Sequence, residues 1–373
     1  MSFAALDLGT NNCRLLIAAP TRDGEFRVLD SFSRIVRLGE GLQNSGQLSP
    51  AAMDRTLDAL RICASRLSRR PIHGLRAVAT EACRRAGNGR TFLDRVKRET
   101  GLFFEVISTR EEAELALESC SALLHAPPGG FPRASLRARG VREPEAPPPE
   151  RALLFDIGGG STEIAWIRLD RDAGGRPAQT LIGYHSIPVG VVTLFEQFGE
   201  SVFEPDGYAA MVDHVTDRLR PFEAVHCIAR EVRRGTVRLL GTSGTVTTLA
   251  SVALDLPRYN RSQVDGTMLD RMDAAAAIRT LRRLGPDGLR RHPCVGPERI
   301  GSVLPGCAIF DAIHRLWPTA EVAVADRGLR DGLLLRMMRK EDLRAAPTPR
   351  RAVRRPAPVR RGDWNGFPAA AAP

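Results

Sequence analysis

Two segments of this chain repeat one pattern: an apolar strand, an aspartate, a glycine-rich polar turn and a second apolar strand. The first is Ala4–Ile17, turning at Asp7-Leu8-Gly9-Thr10-Asn11-Asn12. The second is Leu153–Trp166, turning at Asp156-Ile157-Gly158-Gly159-Gly160-Ser161-Thr162-Glu163. One Asp-x-Gly turn is ordinary hairpin chemistry. Two copies roughly 150 residues apart, each between apolar strands, predict two related domains that open on the same hairpin. The glycines allow backbone N–H groups to converge on an anion, and each aspartate brings the charge that a hydrated divalent cation needs. Two such turns facing one another would clamp a phosphate chain in a cleft.

Other glycine-rich motifs do not fit. A dinucleotide fold needs a helix after its glycines, whereas Glu163-Ile164-Ala165-Trp166-Ile167 reads as a strand. A P-loop needs Gly-Lys-Ser/Thr, and neither of the two lysines, Lys97 and Lys340, adjoins such a loop. Gly241-Thr242-Ser243-Gly244-Thr245 is not a nucleophile elbow, and there is no His-Glu-x-x-His.

With 373 residues, 43% of them hydrophobic, the chain can bury a large core in two domains. No apolar run approaches the roughly 18 residues of a membrane span, and Asp7 interrupts the apolar stretch near the N-terminus, so a cytoplasmic protein without membrane contact is expected. Seven cysteines without a Cys-x-x-Cys pair fit reduced thiols. The net charge of +11 is uneven: from Arg339 onward nine basic residues face three acidic ones, a surplus of six, leaving five for the body. A modestly basic body suits a polyanionic substrate. Nucleic-acid contact through the tail is the weakest partner reading, and a symmetric homodimer is the default oligomer.

Along the chain, a hairpin around Asp7 precedes a strand at 26–33, a helix at 49–69 opened by Ser49 and Pro50, a strand at 75–79, a helix at 91–100, a strand at 103–107 and a helix at 111–124. Residues 127–150, rich in Pro, Gly and Arg, read as an insertion. The pattern restarts with strands at 153–156 and 179–187 and helices at 191–198 and 206–224. A strand at 238–241, helices at 245–254, 273–284 and 308–317, a strand at 321–325 and a helix at 329–339 follow. Domain I is expected over 1–126, completed by the C-terminal helix 328–340, domain II over 151–327, and a basic disordered tail over 341–373.

These motifs resemble those of the exopolyphosphatase and guanosine pentaphosphate phosphatase family, within the actin-like ATPase superfamily. Besides the two turns, Arg37-Leu38-Gly39-Glu40-Gly41-Leu42, Ala79-Thr80-Glu81-Ala82-Cys83-Arg84 with Asn88, Gly241-Thr242-Ser243-Gly244-Thr245 and Gly328-Leu329-Arg330-Asp331-Gly332 fall in the family order. The resemblance covers Phe3 to Met338 except the insertion, and is to the short form without extra helical domains. It implies an α/β fold of two actin-like (ribonuclease H-like) domains with an interdomain active-site cleft. Ser108-Thr109-Arg110-Glu111-Glu112-Ala113 is similar to the family's Ser-Gly-x-Glu-Glu-Ala signature, with Thr109 in place of Gly, and carries the water-activating role to Glu112. Ser108 with Glu111, or Thr109 with Glu112, also fits a helix capping box.

The resemblance implies an exopolyphosphatase: a hydrolase that removes the terminal phosphoryl group of inorganic polyphosphate, with guanosine pentaphosphate as the alternative substrate. Thr10, Asn11, Gly159, Gly160, Ser161 and Thr162 would hold phosphate oxygens. Asp156, Gly158 and Glu163, with Asp7 nearby, would hold Mg²⁺ or another divalent cation. Arg84 would grip phosphate bidentately. A kinase of the same superfamily and a non-catalytic polyphosphate or alarmone sensor are the rival expectations; the paired Glu111-Glu112 argues against the kinase.

Overall fold

The computed structural model describes residues 1–22, 24–126 and 149–345. The expected insertion at 127–150 and tail at 341–373 therefore lie mostly outside the described residues. The first half runs β1 (Phe3–Leu8), β2 (Asn12–Pro20), β3 (Phe26–Ile35), α1 (Leu42–Ser45), α2 (Pro50–Ser68), β4 (Gly74–Ala79), α3 (Glu81–Arg85), α4 (Gly89–Thr100), β5 (Glu105–Val106) and α5 (Thr109–Leu124). The second runs β6 (Arg151–Ile157), β7 (Thr162–Arg171), β8 (Pro177–Ile187), α6 (Val191–Phe198), α7 (Pro205–His226), α8 (Ile228–Arg233), β9 (Val237–Thr242) and α9 (Gly244–Ala253). It continues through α10 (Arg261–Val264), β10 (Met268–Asp270), α11 (Arg271–Arg291), α12 (Ile300–Leu316), β11 (Glu321–Ala325) and α13 (Leu329–Ala345).

The halves are the same device. The sheets have strand orders β3-β2-β1-β4-β5 and β10-β11-β9-β6-β7-β8. In each, the central strand pairs antiparallel with its hairpin mate and parallel with the strand after the crossover. One interval of 149 positions separates Asp7 from Asp156, Gly9 from Gly158 and Ile17 from Trp166, and the last two each precede a register shift in their sheet. The repeat thus extends from the turn into the strand irregularity.

Local chemistry explains most boundaries. Ser49 caps α2 by accepting from the Ala52 N–H, with Pro50 at the first helical position. Helix α11 breaks after Leu284, where Gly285 takes φ 59° and Pro286 follows. Helix α12 starts at Ile300 rather than near Ala308, because Val303 and Leu304 are buried in the core and packing holds the turn around Pro305. The strand expected over 103–107 shrinks to the edge pairs Val78/Glu105 and Ala79/Val106. Helices α3 and α8 and strand β10 were too short to show a period.

Chain order and packing part company at α5. Its Ala116, Leu117, Cys120 and Leu123 pack on β6 and β7 of the second sheet. Arg238 on β9 secures the end of the helix by donating to the Leu123 and Leu124 carbonyls at 3.0 and 2.7 Å. Helix α13, last in the chain, packs instead on the first sheet, with Leu333, Leu334 and Met338 against Phe3, Ala5 and Leu16. The division at residue 126 follows the chain, but packing assigns α5 to the second sheet. Its apolar residues occupy two faces, with Leu115 on α13 and Ala116, Leu117, Cys120, Leu123 and Leu124 on the second sheet.

The two exchanged helices cross at Gly332, where an added Cβ would overlap the carbonyl oxygen of Leu115. That obstacle is backbone and cannot swing aside. Gly332→Ala should therefore lower stability by about 1–3 kcal/mol or more, a typical cost of overpacking. Urea unfolding would measure it, and a midpoint equal to that of wild type would show that the crossing tolerates a methyl group.

Candidate active site

The two turns have the same internal geometry. Gly9 N–H donates to the Asn12 carbonyl at 2.9 Å, and Gly158 N–H to that of Ser161 at 2.9 Å. The carbonyls within each turn are engaged from behind. Thr10 accepts from Gly39 (2.9 Å) and Asn11 from Val36 and Arg37 (2.8 and 3.0 Å), while Gly158 and Gly159 accept from Val191 and Val192 at the start of α6 (3.0 and 2.8 Å). Peptide planarity sends the N–H groups of Asn11, Gly159 and Gly160 the opposite way, and they donate to no acceptor among the described residues. Converging amides of this kind suit an anion.

The turns also touch. A Cβ on Gly159 would lie 2.9 Å from that of Asn11, and one on Gly160 2.7 Å from Thr10 Oγ1. Glycine is required here by close approach. Thr10 and Ser161 are buried at this junction.

Strand register sets the charges. Asp156 stands opposite Glu163 on the β6–β7 hairpin, which puts both carboxyl groups side by side on the face that α5 covers. Ser161 and Ser186 both donate to Glu163 Oε1, at 2.6 and 2.9 Å, leaving Oε2 open. At the equivalent place in the first sheet Asp7 faces Arg14. The pseudo-symmetry thus sets a cation where its partner has an anion.

The exchange of α5 carries Glu112 to this spot. Ser108 caps the helix by accepting from Glu111 N–H at 3.1 Å, but Glu111 does not reach back. Its carboxylate pairs with Arg76 at 3.1 Å and Arg336 at 3.5 Å, while Glu112, about 100° further round, faces Arg84 at 3.4 Å. The two glutamates divide the tasks. Thr109 occupies the first helical turn without the positive φ that would have required glycine.

Burial raises four carboxyl groups here. Asp156 is pushed up to about 6 and Glu163 to about 7, by burial first and then, for Glu163, by Asp156 beside it. Glu112 lies well above the usual range through burial and repulsion from Glu163, against a smaller opposite pull from Arg84. Asp7 is raised by burial, with Arg14 and Arg330 opposing. Among the described residues no three His, Cys, Asp or Glu side chains form a metal-holding group. Asp156 and Glu163, side by side, are the carboxylates that could hold a divalent cation, and Mg²⁺ takes one or two carboxylates together with waters and phosphate oxygens.

Two further expected residues, like Ser161, have partners within the fold. Thr162 is buried within the second domain and its hydroxyl donates to the Val189 carbonyl at 2.7 Å, so it braces the turn rather than presenting that proton to a phosphate. Gly158, expected beside the cation, has a carbonyl that accepts the Val191 N–H with one lone pair and keeps the other. The other expected residues, Thr10, Asn11, Arg84, Glu112, Asp156, Gly159, Gly160, Ser161 and Glu163, surround one cleft. On its β8 side the cleft opens into a space of about 450 Å³ lined by Glu81, Thr109, Tyr184, His185, Ser186 and Pro188.

Sequence reading missed three arginines. Arg14 lies close enough to repel both Arg299 and Arg330, and burial together with that repulsion depresses the proton affinity of the two. Arg330 donates to the Leu15 carbonyl at 3.4 Å, and Arg299 to Thr248 Oγ1 at 3.5 Å. The interval of 149 positions would have flagged Arg14 as the counterpart of Glu163. Arg330 lies in the Gly328–Gly332 motif, and nothing local marks Arg299.

A family model, the Ppx/GppA phosphatase family, matches residues 17–128 and 133–341. The chain is 28% identical over 333 residues to a guanosine-5'-triphosphate,3'-diphosphate pyrophosphatase of Aeromonas salmonicida (strain A449), covering 89% of this chain and 58% of that protein. It spans a little over half the length of this relative. Among solved structures, the Aquifex aeolicus member of the Ppx/GppA family superposes with TM-score 0.66 at 26% identity, covering 92% of this chain and 99% of that one. An exopolyphosphatase-like protein superposes with TM-score 0.74 at 26% identity, covering 91% and 98%. The fold is the two-domain actin-like arrangement of these structures.

Raised carboxyl pKa values have a definite sign for stability. Asp156 and Glu163 hold their protons more tightly folded than unfolded, so their contribution is complete near pH 4 and is lost as pH rises through about 6 to 7. With chelator present, the melting temperature should fall between pH 5 and 8, and Asp156→Asn should flatten that fall. Thermal melts across this range test it; a profile that rises, or that Asp156→Asn leaves unchanged, would contradict the electrostatics described.

Proposed function

We propose, on the premise that this chain belongs to the Ppx/GppA phosphatase family, that it removes the terminal phosphoryl group of linear inorganic polyphosphate by attack of water. The observation that carries this reading is the position of Glu112. Through the exchange of α5 it stands at the N-terminus of a helix packed on the second sheet, facing the Asp156–Glu163 pair beside two amide-lined turns.

The residues divide the work as follows. The amides of Asn11, Gly159 and Gly160, with the Thr10 hydroxyl, hold oxygens of the terminal phosphate, while Ser161, whose hydroxyl proton goes to Glu163, fixes that carboxylate beside them. Arg84 stands at the Glu112 end of the cleft, where spare guanidinium donors can reach the same group. Glu112 orients a water molecule and takes its proton as the water oxygen bonds to phosphorus and the anhydride P–O bond breaks, releasing orthophosphate and a chain one unit shorter. Its raised proton affinity brings the base closer to neutral pH, where general-base catalysis is most effective. Asp156 and Glu163 would hold Mg²⁺, which would neutralise charge on the phosphate oxygens.

Guanosine pentaphosphate is the second reading, favoured by the name of the Aeromonas salmonicida relative. It presents the same terminal phosphoanhydride to the same clamp.

Replacing the base should cost roughly 10²–10⁴ in rate, or about 3–5 kcal/mol of barrier. Glu112→Gln should thus lower kcat at least a hundredfold and leave KM within a few-fold. Phosphate release from long polyphosphate, short polyphosphate, guanosine pentaphosphate and ATP, measured in parallel with Mg²⁺, checks this and ranks the substrates. Tight binding without release from any of them would replace the hydrolase reading with a sensor.

A further inference from the structure

Arg84 is held from three directions, and unequally. Its Nη2 donates to Glu81 Oε2 at 2.5 Å and its Nη1 to the Ile107 carbonyl at 2.8 Å, whereas Glu112 Oε2 lies at 3.4 and 3.5 Å from the two nitrogens. The first two are strong, charge-assisted or well-directed bonds. The contacts to Glu112 sit at the edge of hydrogen-bond range. Glu81 is itself fixed in place. It is 9% exposed, its Oε1 lies 3.7 Å from Arg85 Nε, and its Cγ rests 3.3 Å from where a Cβ on Gly160 would be. It therefore touches the turn of one domain while anchoring an arginine of the other.

Without Glu81, the guanidinium would keep the Ile107 carbonyl as a pivot and have one carboxylate left within reach. Moving well under 1 Å would give it a full ion pair with Glu112. Such a pair would occupy the oxygen a water molecule needs and make the carboxylate a poorer proton acceptor.

We propose that Glu81 is a positioning residue that draws the Arg84 guanidinium off Glu112 and so keeps the Glu112 carboxylate free to take a proton from water. This rests on the reading of Glu112 as the base. It assigns the glutamate of the Ala79–Arg84 segment a task separate from substrate contact, and it makes Arg84 an inhibitor of the reaction when Glu81 is lost.

The test is a mutant cycle in the full chain, with long-chain polyphosphate and Mg²⁺. Glu81→Ala should lower kcat at least tenfold. In an Arg84→Ala background the same substitution should change kcat less than threefold, because no guanidinium remains to collapse, while KM stays at the Arg84→Ala value. Glu81→Gln, closer in shape, should reproduce the pattern if Glu81→Ala fails to fold. A crystal structure of either Glu81 variant should show Arg84 at ~2.8 Å from Glu112. Equal losses of kcat with and without Arg84, or an Arg84 that stays in place in the variant crystal, would overturn the proposal. Full activity of Glu112→Gln would overturn the base assignment beneath it, and that outcome is separate from either.

Discussion

The crossing of α5 and α13 is the contact on which the rest of the molecule depends. Each helix leaves the half of the chain that precedes it and packs on the other sheet, and Gly332 allows the two to meet backbone to backbone beside Leu115. The exchange ties two sheets into one body by burying apolar side chains, each worth about 1.5–3 kcal/mol. It also fixes where the first turn of each helix projects. Glu112, near the start of α5, comes to lie over Asp156 and Glu163; Arg330, near the start of α13, comes to lie by Asp7 and Arg14. A less intimate crossing would separate Glu112 from the acid pair.

Charge is arranged around the cleft with the same economy of parts. One side gathers carboxyl groups whose ionised forms burial disfavours, and the other gathers two buried arginines that Arg14 repels. Neither set is comfortable alone, and a ligand combining a divalent cation with a polyanion would relieve both. The turns between them contribute backbone dipoles that need no titration, because their carbonyls are tied down from behind and their amides are left facing inward. The arrangement is costly to the folded protein and favourable for binding, a trade common at functional sites.

Short-range rules made much of this readable from residues alone. The repeat of an aspartate before a glycine-rich turn announced two like domains, and the capping residues Ser49 and Ser108 announced two helices. The ambiguity between Glu111 and Glu112 could not be resolved that way, since either could have capped a helix. It took the positions of Arg76 and Arg336, neither of them near in sequence, to claim Glu111 and leave its neighbour for the cleft. The partner of Thr162 was out of sight for a similar reason. Its hydroxyl donates to a distant carbonyl, that of Val189, which no local pattern announces.

By itself, the sequence determined what depends on neighbours within a few positions and on internal repetition: the two hairpins, their turn chemistry, the order of the longer strands and helices, and the family. Only the tertiary structure decided which helix covers which sheet, and with it which charged groups meet. Arg14 opposite Asp7, Glu81 bracing Arg84, and Glu112 above the Asp156–Glu163 pair are all products of register or of the helix exchange. The physical reason is one of range. Turn and cap preferences act over a few residues of backbone, whereas burial and the Coulomb interactions it strengthens act through space between segments that the chain keeps far apart.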